Sequence, residues 1–454
     1  MEAPLDRSPR DEHRVEPIKP AERFQMMDTL RGFALLGILG PNIVAFSWPQ
    51  AAAVDPGEMG GGQWNEIGYA VVSIFFLGKM MALFSMLFGA GLVVFDKKTA
   101  AATVRAAEIC CTQCAYPFFG LASPGQRFTC PECGVEQVVT SSGTSSLSTG
   151  AGLWYRRMAW LLVFGIAHAI LLWYGDILVW YAVTGMAALW WMRRIEPKIQ
   201  IAIGAGLHLL STALLLLFSL FGVWAAENGQ VGAEELMGAD ANETAAYLGG
   251  YVGIVSYRLS TVLFMWLLGA FFLPGVTGLM LIGAGLTRLG VITGERSPRF
   301  YRSLAVGGLL GGFGLTLLAY FGLRAASPAY GNFLWQSVSQ FVGIPISLGY
   351  MGAIGLVVSS SAAGAVSRAL ANVGRMALTN YLLTSIVCTT MFYGYGFGLL
   401  GSIDYPGLWG VVLGVWVFNL IFSALWLRWF RYGPFEWAWR SLTYWRVEPM
   451  RRAA

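Results

Sequence analysis

The sequence predicts an all-α fold: a polytopic transmembrane helical bundle of about ten spans, carrying a small cytosolic zinc-ribbon-like insertion. Three observations predict it. Hydrophobic residues make up 56% of the 454 positions and charged residues only 12%, against roughly 45 to 50% and about 25% in soluble domains. Ten long apolar segments can be marked off. Of the 30 Lys and Arg residues, 26 fall in every second gap between those segments, which is how cytosolic loops are recognised. The net charge of +5 is spread over six such gaps and tails, so it reads as topology determinant and anionic-lipid contact and argues against nucleic-acid binding.

Residues 1–26 are rich in Arg, Glu, Asp and Pro with no apolar run, as expected of a disordered cytosolic tail. The run from Leu30 to Trp48 is long enough to stay in the bilayer, so the first span serves as its own targeting signal in place of a cleaved one. Residues 27–95 hold the first two spans, near 30–48 and 67–95; residues 96–156 form a long cytosolic insertion whose Thr140–Gly152 portion reads as flexible linker. Residues 157–257 hold spans near 157–174, 177–192 and 199–224 and an acidic outer loop. Residues 258–430 hold spans near 259–287, 303–323, 334–358, 376–398 and 408–427, and 431–454 form a cytosolic tail. The outer gaps 49–66 and 225–256 carry only acidic charge, from Asp55 to Glu243, so both termini fall on the cytosolic side. Arg31 and Lys79, inside spans, and Arg258 and Arg324, on the outer side, stand outside this scheme. Pro274-Gly275 interrupts the sixth span and kinks or breaks it.

In the insertion, Cys111-Thr-Gln-Cys114 and Cys130-Pro-Glu-Cys133-Gly134 are separated by fifteen residues. Each Cys-x-x-Cys turn directs two sulfurs at one ion, and two such pairs make the four-thiolate pattern of structural zinc. A reducing cytosol disfavours disulfides, although loop cysteines or a redox pair are the alternatives. With four protein sulfurs there is no open position for water, so Cys111, Cys114, Cys130 and Cys133 are expected to hold one Zn2+ structurally. The segment resembles zinc-ribbon modules and suggests a docking element for a cytosolic protein.

Polar residues within the spans are the candidate site, because charge in hydrocarbon costs at least about 2.5 to 3.5 kcal/mol and calls for a partner or a wet cavity. Asp28, Arg31 and Asn42 form one stripe on the first span, where Asp28 could equally cap the helix and pair with Arg31. Lys79 falls near the middle of the second span, as ligand site or structural ion pair. His168 shares a face with Arg157, and the hairpin at Trp173–Leu178 puts Asp176 at the outer lip, about 12 Å away if the helix runs through. An imidazole with a carboxylate to one side suits acid/base chemistry, while a histidine bonded between helices is the plainer alternative. His208 has no polar company and reads as structural. At the cytosolic end of the ninth span, Arg375 and Asn380 are candidates for ligand contact.

These segments resemble the YeiB-like membrane family, whose C-terminal half is catalogued as domain of unknown function 418. The matching motifs are Leu30–Ala34 with Asn42, Lys79 with Phe84–Gly91, His168 with Gly175–Leu178, and Gly374–Tyr381 with Phe392–Gly396. The resemblance covers nearly the whole chain apart from the amino tail and the zinc loop, and it implies a bacterial inner-membrane protein. More distantly, that family resembles transmembrane acyltransferases of the heparan-glucosaminide acetyltransferase type, through Asp28, Arg31, Gly32 and Asn42. In those enzymes a catalytic histidine follows the asparagine by eleven residues; here that place is Ala53, so His168 has taken over the base or the chemistry has changed.

Three readings follow. In the first the protein is a membrane acyltransferase: Arg31, Arg157 and Arg375 draw the phosphates of cytosolic acyl-CoA, His168 is the general base beside Asp176, and Lys79 or Asn42 polarises the acyl carbonyl. In the second it is a transporter of a small anionic or lipidic solute, with Lys79 at the midplane and Pro274-Gly275 as a hinge or broken helix. In the third it is a non-catalytic assembly or signalling protein.

Overall fold

The computed structural model describes residues 24–106, 113, 127–138, 146–238, 240, 242–360 and 364–452. Cys111 and Cys114 lie outside the described residues. The chain runs through α1 (Gln25–Ser47), α2 (Gln63–Phe75), α3 (Lys79–Ala106), the strands β1 (Arg127–Thr129) and β2 (Glu136–Val138), and α4 (Ser146–Ala167). A π-helical turn, His168–Leu172, prolongs α4; α5 (Leu178–Thr184) and α6 (Trp190–Met192) are joined by another, Gly185–Leu189. Then come α7 (Pro197–Glu227), the short α8 (Ala233–Leu236) and α9 (Glu243–Leu248), α10 (Tyr251–Gly269), α11 (Leu273–Arg288) and α12 (Pro298–Ala326). The remainder is α13 (Gly331–Ser359), α14 (Gly364–Arg375), α15 (Ala377–Phe392), α16 (Tyr405–Trp429) and α17 (Pro434–Tyr444).

Eight helical stretches among the described residues are long and apolar enough to cross a membrane. Large apolar side chains such as Leu217, Phe221, Leu267, Leu318 and Phe321 point outward, where a water-soluble protein would present charge. This is an integral membrane protein. The other apolar helices are shorter: Leu178–Met192, Tyr251–Leu267 and Ala377–Phe392.

Two of the expected spans are divided. The second breaks between Phe75 and Lys79, where Gly78 takes a left-handed φ of 77° and lies against the Ser339 carbonyl with no room for a Cβ. Lys79 is therefore the first residue of α3 and not the middle of a continuous helix. The sixth divides at the 3-10 turn Ala270–Phe272 into α10 and α11. Pro274 stands in the first turn of α11, where its missing N–H breaks no helical bond. The span is thus broken, the second of the two expected outcomes, and Pro274 starts the helix after the break.

Glycine lets the helices that frame the interior touch backbone to backbone. A Cβ on Gly89 would sit 1.8 Å from the Met280 carbonyl oxygen, and one on Gly283 would sit 1.9 Å from that of Met86, so α3 and α11 meet without side chains between them. This is the close approach small residues permit in membrane helices. The same device joins α1 to α14: Cβ atoms on Gly32 and Gly374 would each lie 1.9 Å from a carbonyl oxygen of the other helix, Leu370 and Asp28 respectively.

Candidate functional site

The Gly32–Gly374 contact brings Arg31 and Arg375, each next in sequence to one of these glycines, to one end of the bundle. Arg31 Nη1 lies 3.2 Å from Asp28 Oδ1, the local pairing open to residues three apart on a helix. Arg157 comes to the same place from α4, with its guanidinium 4.1 Å above the Trp439 ring and its carbonyl accepting the indole N–H at 2.9 Å. Arg440, from α17, and Arg31 are its charged neighbours. Asp28, Arg31, Arg157, Arg375 and Arg440 all line one cavity of about 230 Å³.

The amphipathic α17 closes one wall. Its buried Glu436 accepts hydrogen bonds from the Leu378 N–H at 2.6 Å, the Thr379 N–H at 3.0 Å and the Thr379 hydroxyl at 2.5 Å. A carboxylate over the first turn of α15 satisfies amides that have no helical partner and complements the positive end of the helix dipole. Burial raises the Glu436 pKa above the ordinary carboxylate range, against the pull of the Thr379 and Leu378 bonds.

Away from the arginines the cavity is lined by Tyr181 and Tyr381. Behind Tyr381 lies His168, ring to ring at 4.8 Å; the Tyr381 hydroxyl is 3.4 Å from Asp176 Oδ1. His168 Nδ1 is 2.9 Å from Asp176 Oδ1 and its Nε2 is 2.8 Å from Ser385 Oγ, all three side chains buried. Asp176 Oδ2 also accepts the Val179 N–H at 2.8 Å, which fixes the carboxylate at the start of α5. A carboxylate facing Nδ1 holds the proton there, leaving the Nε2 lone pair for the Ser385 hydroxyl.

The expected 12 Å between His168 and Asp176, with Asp176 at the outer lip, is therefore corrected. The helix does not run through: the π-turn ends when the Trp173 N–H bonds the His168 carbonyl at 2.9 Å, and the chain doubles back. Asp176 is only 5% exposed. On the far side of Tyr381 is a second space of about 10 Å³, lined by Asn42, Trp173, Thr384 and Ser385 as well. It is about the size of one water molecule. The Asn42 amide makes no hydrogen bond among the described residues.

Two expected site residues stand elsewhere. Lys79 lines neither cavity; its Nζ donates to the Ser73 carbonyl at 2.7 Å and lies 5.3 Å from the Trp335 ring centroid. It closes the helix break, a cation on a carbonyl freed at the end of α2. Asn380 also lines neither cavity: its amide donates to the Val373 carbonyl at 3.2 Å and the Ser423 hydroxyl at 2.8 Å, tying α15 to α16. His208 sits between helices, its Nδ1 3.2 Å from the Gly275 carbonyl and its Nε2 3.1 Å from the Gln340 carbonyl, with a neutral ring donating to one of the two. The sequence reading missed Ser385, Tyr381, Arg440 and Glu436 as site residues. Tyr381 and Ser385 are four apart on α15 and so share a face, a signal that was available; Glu436 and Arg440 lay in what read as a charged tail.

In the insertion, β1 and β2 pair antiparallel around the second cysteine turn. The Gly134 N–H donates to the Cys130 carbonyl and the Cys130 N–H to the Val135 carbonyl, both at 2.9 Å, and Gly134 has φ 72°. This tight turn suits a Cys-x-x-Cys half-site for a metal.

Residues 286–446 match the family described as "Protein of unknown function (DUF418)". The chain is 32% identical to the uncharacterized protein YeiB of Escherichia coli (strain K12) over 93% of this chain and 96% of that one. The chain belongs to the YeiB-like family. It is also 28% identical to the uncharacterized protein YxaH of Bacillus subtilis (strain 168), over 96% of this chain and 98% of the relative. No solved structure matches it. The DUF418 match covers Arg375, Tyr381, Ser385, Glu436 and Arg440, whereas Asp28, Arg31, Arg157, His168 and Asp176 come from the part of the chain before it.

Proposed function

We propose that this protein is a membrane acyltransferase that takes an acyl group from a phosphate-bearing cytosolic thioester such as acyl-CoA and passes it to an acceptor at or across the bacterial inner membrane. The observation that carries the reading is one cavity with Arg31, Arg157, Arg375 and Arg440 at one end and Tyr381, beside the His168–Asp176 pair, at the other. Basic loops face the cytosol, so the arginines open to where such donors are made. At about 230 Å³ the cavity is below the roughly 300 to 1,000 Å³ of ordinary ligand sites. It suits a slender acyl-pantetheine arm, with the anionic head left at the arginines.

In this reading Arg157, Arg375, Arg31 and Arg440 bind phosphate oxygens by charge-assisted bonds, Asp28 and Trp439 orient Arg31 and Arg157, His168 is the general base, Asp176 sets its tautomer, and Asn42 polarises the acyl carbonyl. Lys79 holds the helix break. The transporter reading takes Lys79 as its ligand site and Pro274-Gly275 as a hinge or broken helix; the span is broken just before Pro274, but Lys79 lines neither cavity and is bonded to the Ser73 carbonyl, so the acyltransferase reading is preferred. The insertion binds one structural zinc through Cys111, Cys114, Cys130 and Cys133 and offers a cytosolic partner a docking surface.

Titration of coenzyme A into the purified full-length protein tests the reading. Binding that weakens at least about tenfold in Arg157→Ala and in Arg375→Ala, as loss of a charged hydrogen bond predicts, and that falls with rising salt supports it. Coenzyme A and acyl-CoA that leave the wild-type protein unbound at millimolar concentration would refute it.

A further inference from the structure

We propose that Ser385 is a nucleophile and that the enzyme works through an acyl-serine intermediate, with Asp176, His168 and Ser385 as its triad. The inference rests on the acyl-transfer reading and supplies its mechanism. Ser385 Oγ lies 2.8 Å from His168 Nε2, and His168 Nδ1 lies 2.9 Å from Asp176 Oδ1. These are the nucleophile–base and base–orienter contacts that activate a hydroxyl, and such a triad is recognised by geometry and not by chain order. The three residues come from α15, the π-turn after α4 and the loop just before α5, so chance neighbours along one helix do not account for it. Asn42 supplies the fourth element: its amide lines the same small space as Ser385, where a developing oxyanion needs a donor.

The chemistry balances without a redox partner. Ser385 Oγ attacks the carbonyl carbon of the thioester while its proton passes to His168 Nε2. The tetrahedral intermediate collapses, the C–S bond breaks, and the departing sulfur takes the proton from Nε2 to leave as a thiol. An acceptor hydroxyl then gives its proton to Nε2, attacks the serine ester, and Ser385 Oγ recovers that proton as it leaves. Burial of all three side chains keeps bulk water from the ester, so transfer is favoured over hydrolysis. Tyr381 lines both the donor cavity and the space around Ser385, so its ring is what the acyl carbonyl must pass. Ser385 lies four residues beyond Tyr381 along α15, about 6 Å deeper.

The full-length protein in detergent is treated with a fluorophosphonate, which esterifies activated serines with loss of fluoride, and the modified residue is mapped by peptide mass spectrometry. Modification at Ser385 in the wild type, lost in Ser385→Ala and reduced at least about a hundredfold in His168→Ala as removal of a general base predicts, supports the proposal. The wild-type map stands even if a variant fails to accumulate: an unmodified Ser385 overturns the triad. So does acyl transfer from labelled acyl-CoA that persists in Ser385→Ala, a result that leaves the acyltransferase reading intact with direct transfer. Modified Ser385 without coenzyme A binding supports the nucleophile and removes the donor assigned to it.

Discussion

Gly374→Ala tests the frame on which the arginine cavity is built. The added Cβ would lie 1.9 Å from the Asp28 carbonyl oxygen and 2.8 Å from the Gly32 amide nitrogen, both backbone atoms inside α1, whereas ordinary contact begins at 3.4 Å. Since a carbonyl in a helix cannot swing aside, α14 must retreat by about 3.4 − 1.9 = 1.5 Å. Overpacking of this kind costs about 1 to 3 kcal/mol. It also moves Arg375 away from Arg31 and Asp28, and misplacement by about 1 Å can cost a site about a hundredfold. A control separates the steric effect from the intrinsic gain of about 0.5 to 1 kcal/mol when alanine replaces glycine in a helix. Gly314 on α12 has nothing within 4 Å of its would-be Cβ, so Gly314→Ala should leave stability unchanged or raise it. Thermal unfolding in detergent should show Gly374→Ala less stable than wild type while Gly314→Ala is not, and coenzyme A affinity should fall at least about tenfold in Gly374→Ala alone. Equal stability and equal affinity in the two variants would show that α1 and α14 do not touch here and refute the reasoning.

Other expectations follow from separate parts of the molecule. Burial raises the Glu243 carboxyl from 4.5 to about 7, with Asp240 adding to the rise and the bond from the Gln50 N–H opposing it. A raised folded pKa means stability that is full below about 4.5 and is lost as pH rises through about 7, worth at most about 3 kcal/mol. Protease resistance of the 228–250 segment should therefore fall between pH 5 and 8, and Glu243→Gln, which keeps an acceptor for Gln50, should abolish that dependence. For the insertion, the full-length protein should contain about one zinc per chain, and an unchanged metal content in the Cys130→Ser, Cys133→Ser double variant would remove the zinc site. Reporter fusions after Arg105 and within 227–238 should score on opposite sides of the membrane; the same side for both would overturn the orientation.

The bundle was legible in the sequence because membrane burial writes itself into composition: long apolar runs and alternating basic gaps need no tertiary information. Helix breaks were legible only in part. Pro274 announced an interruption yet not its geometry, and nothing around Lys79 signalled that Gly78 would adopt φ 77° and make the lysine a helix-end cap. Arg31 could be singled out as a cation inside a span, and Arg157 and Arg375 as basic residues at the cytosolic ends of spans. Their convergence required the Gly32–Gly374 contact, formed by residues more than 300 positions apart.

By itself the sequence determined the class, the family motifs and which side chains were too polar to rest against lipid. Tertiary structure decided which of them meet. The π-turn at His168–Leu172 folded Asp176 back to 2.9 Å from His168, and α15, packed against that turn, delivered Ser385 to the other ring nitrogen. Lys79 and Asn380 were instead directed to backbone and helix-packing partners. The physical reason is range: hydrophobicity and charge placement act residue by residue along the chain, while a hydrogen-bonded triad depends on the relative position of three segments, and that is fixed only when the helices pack.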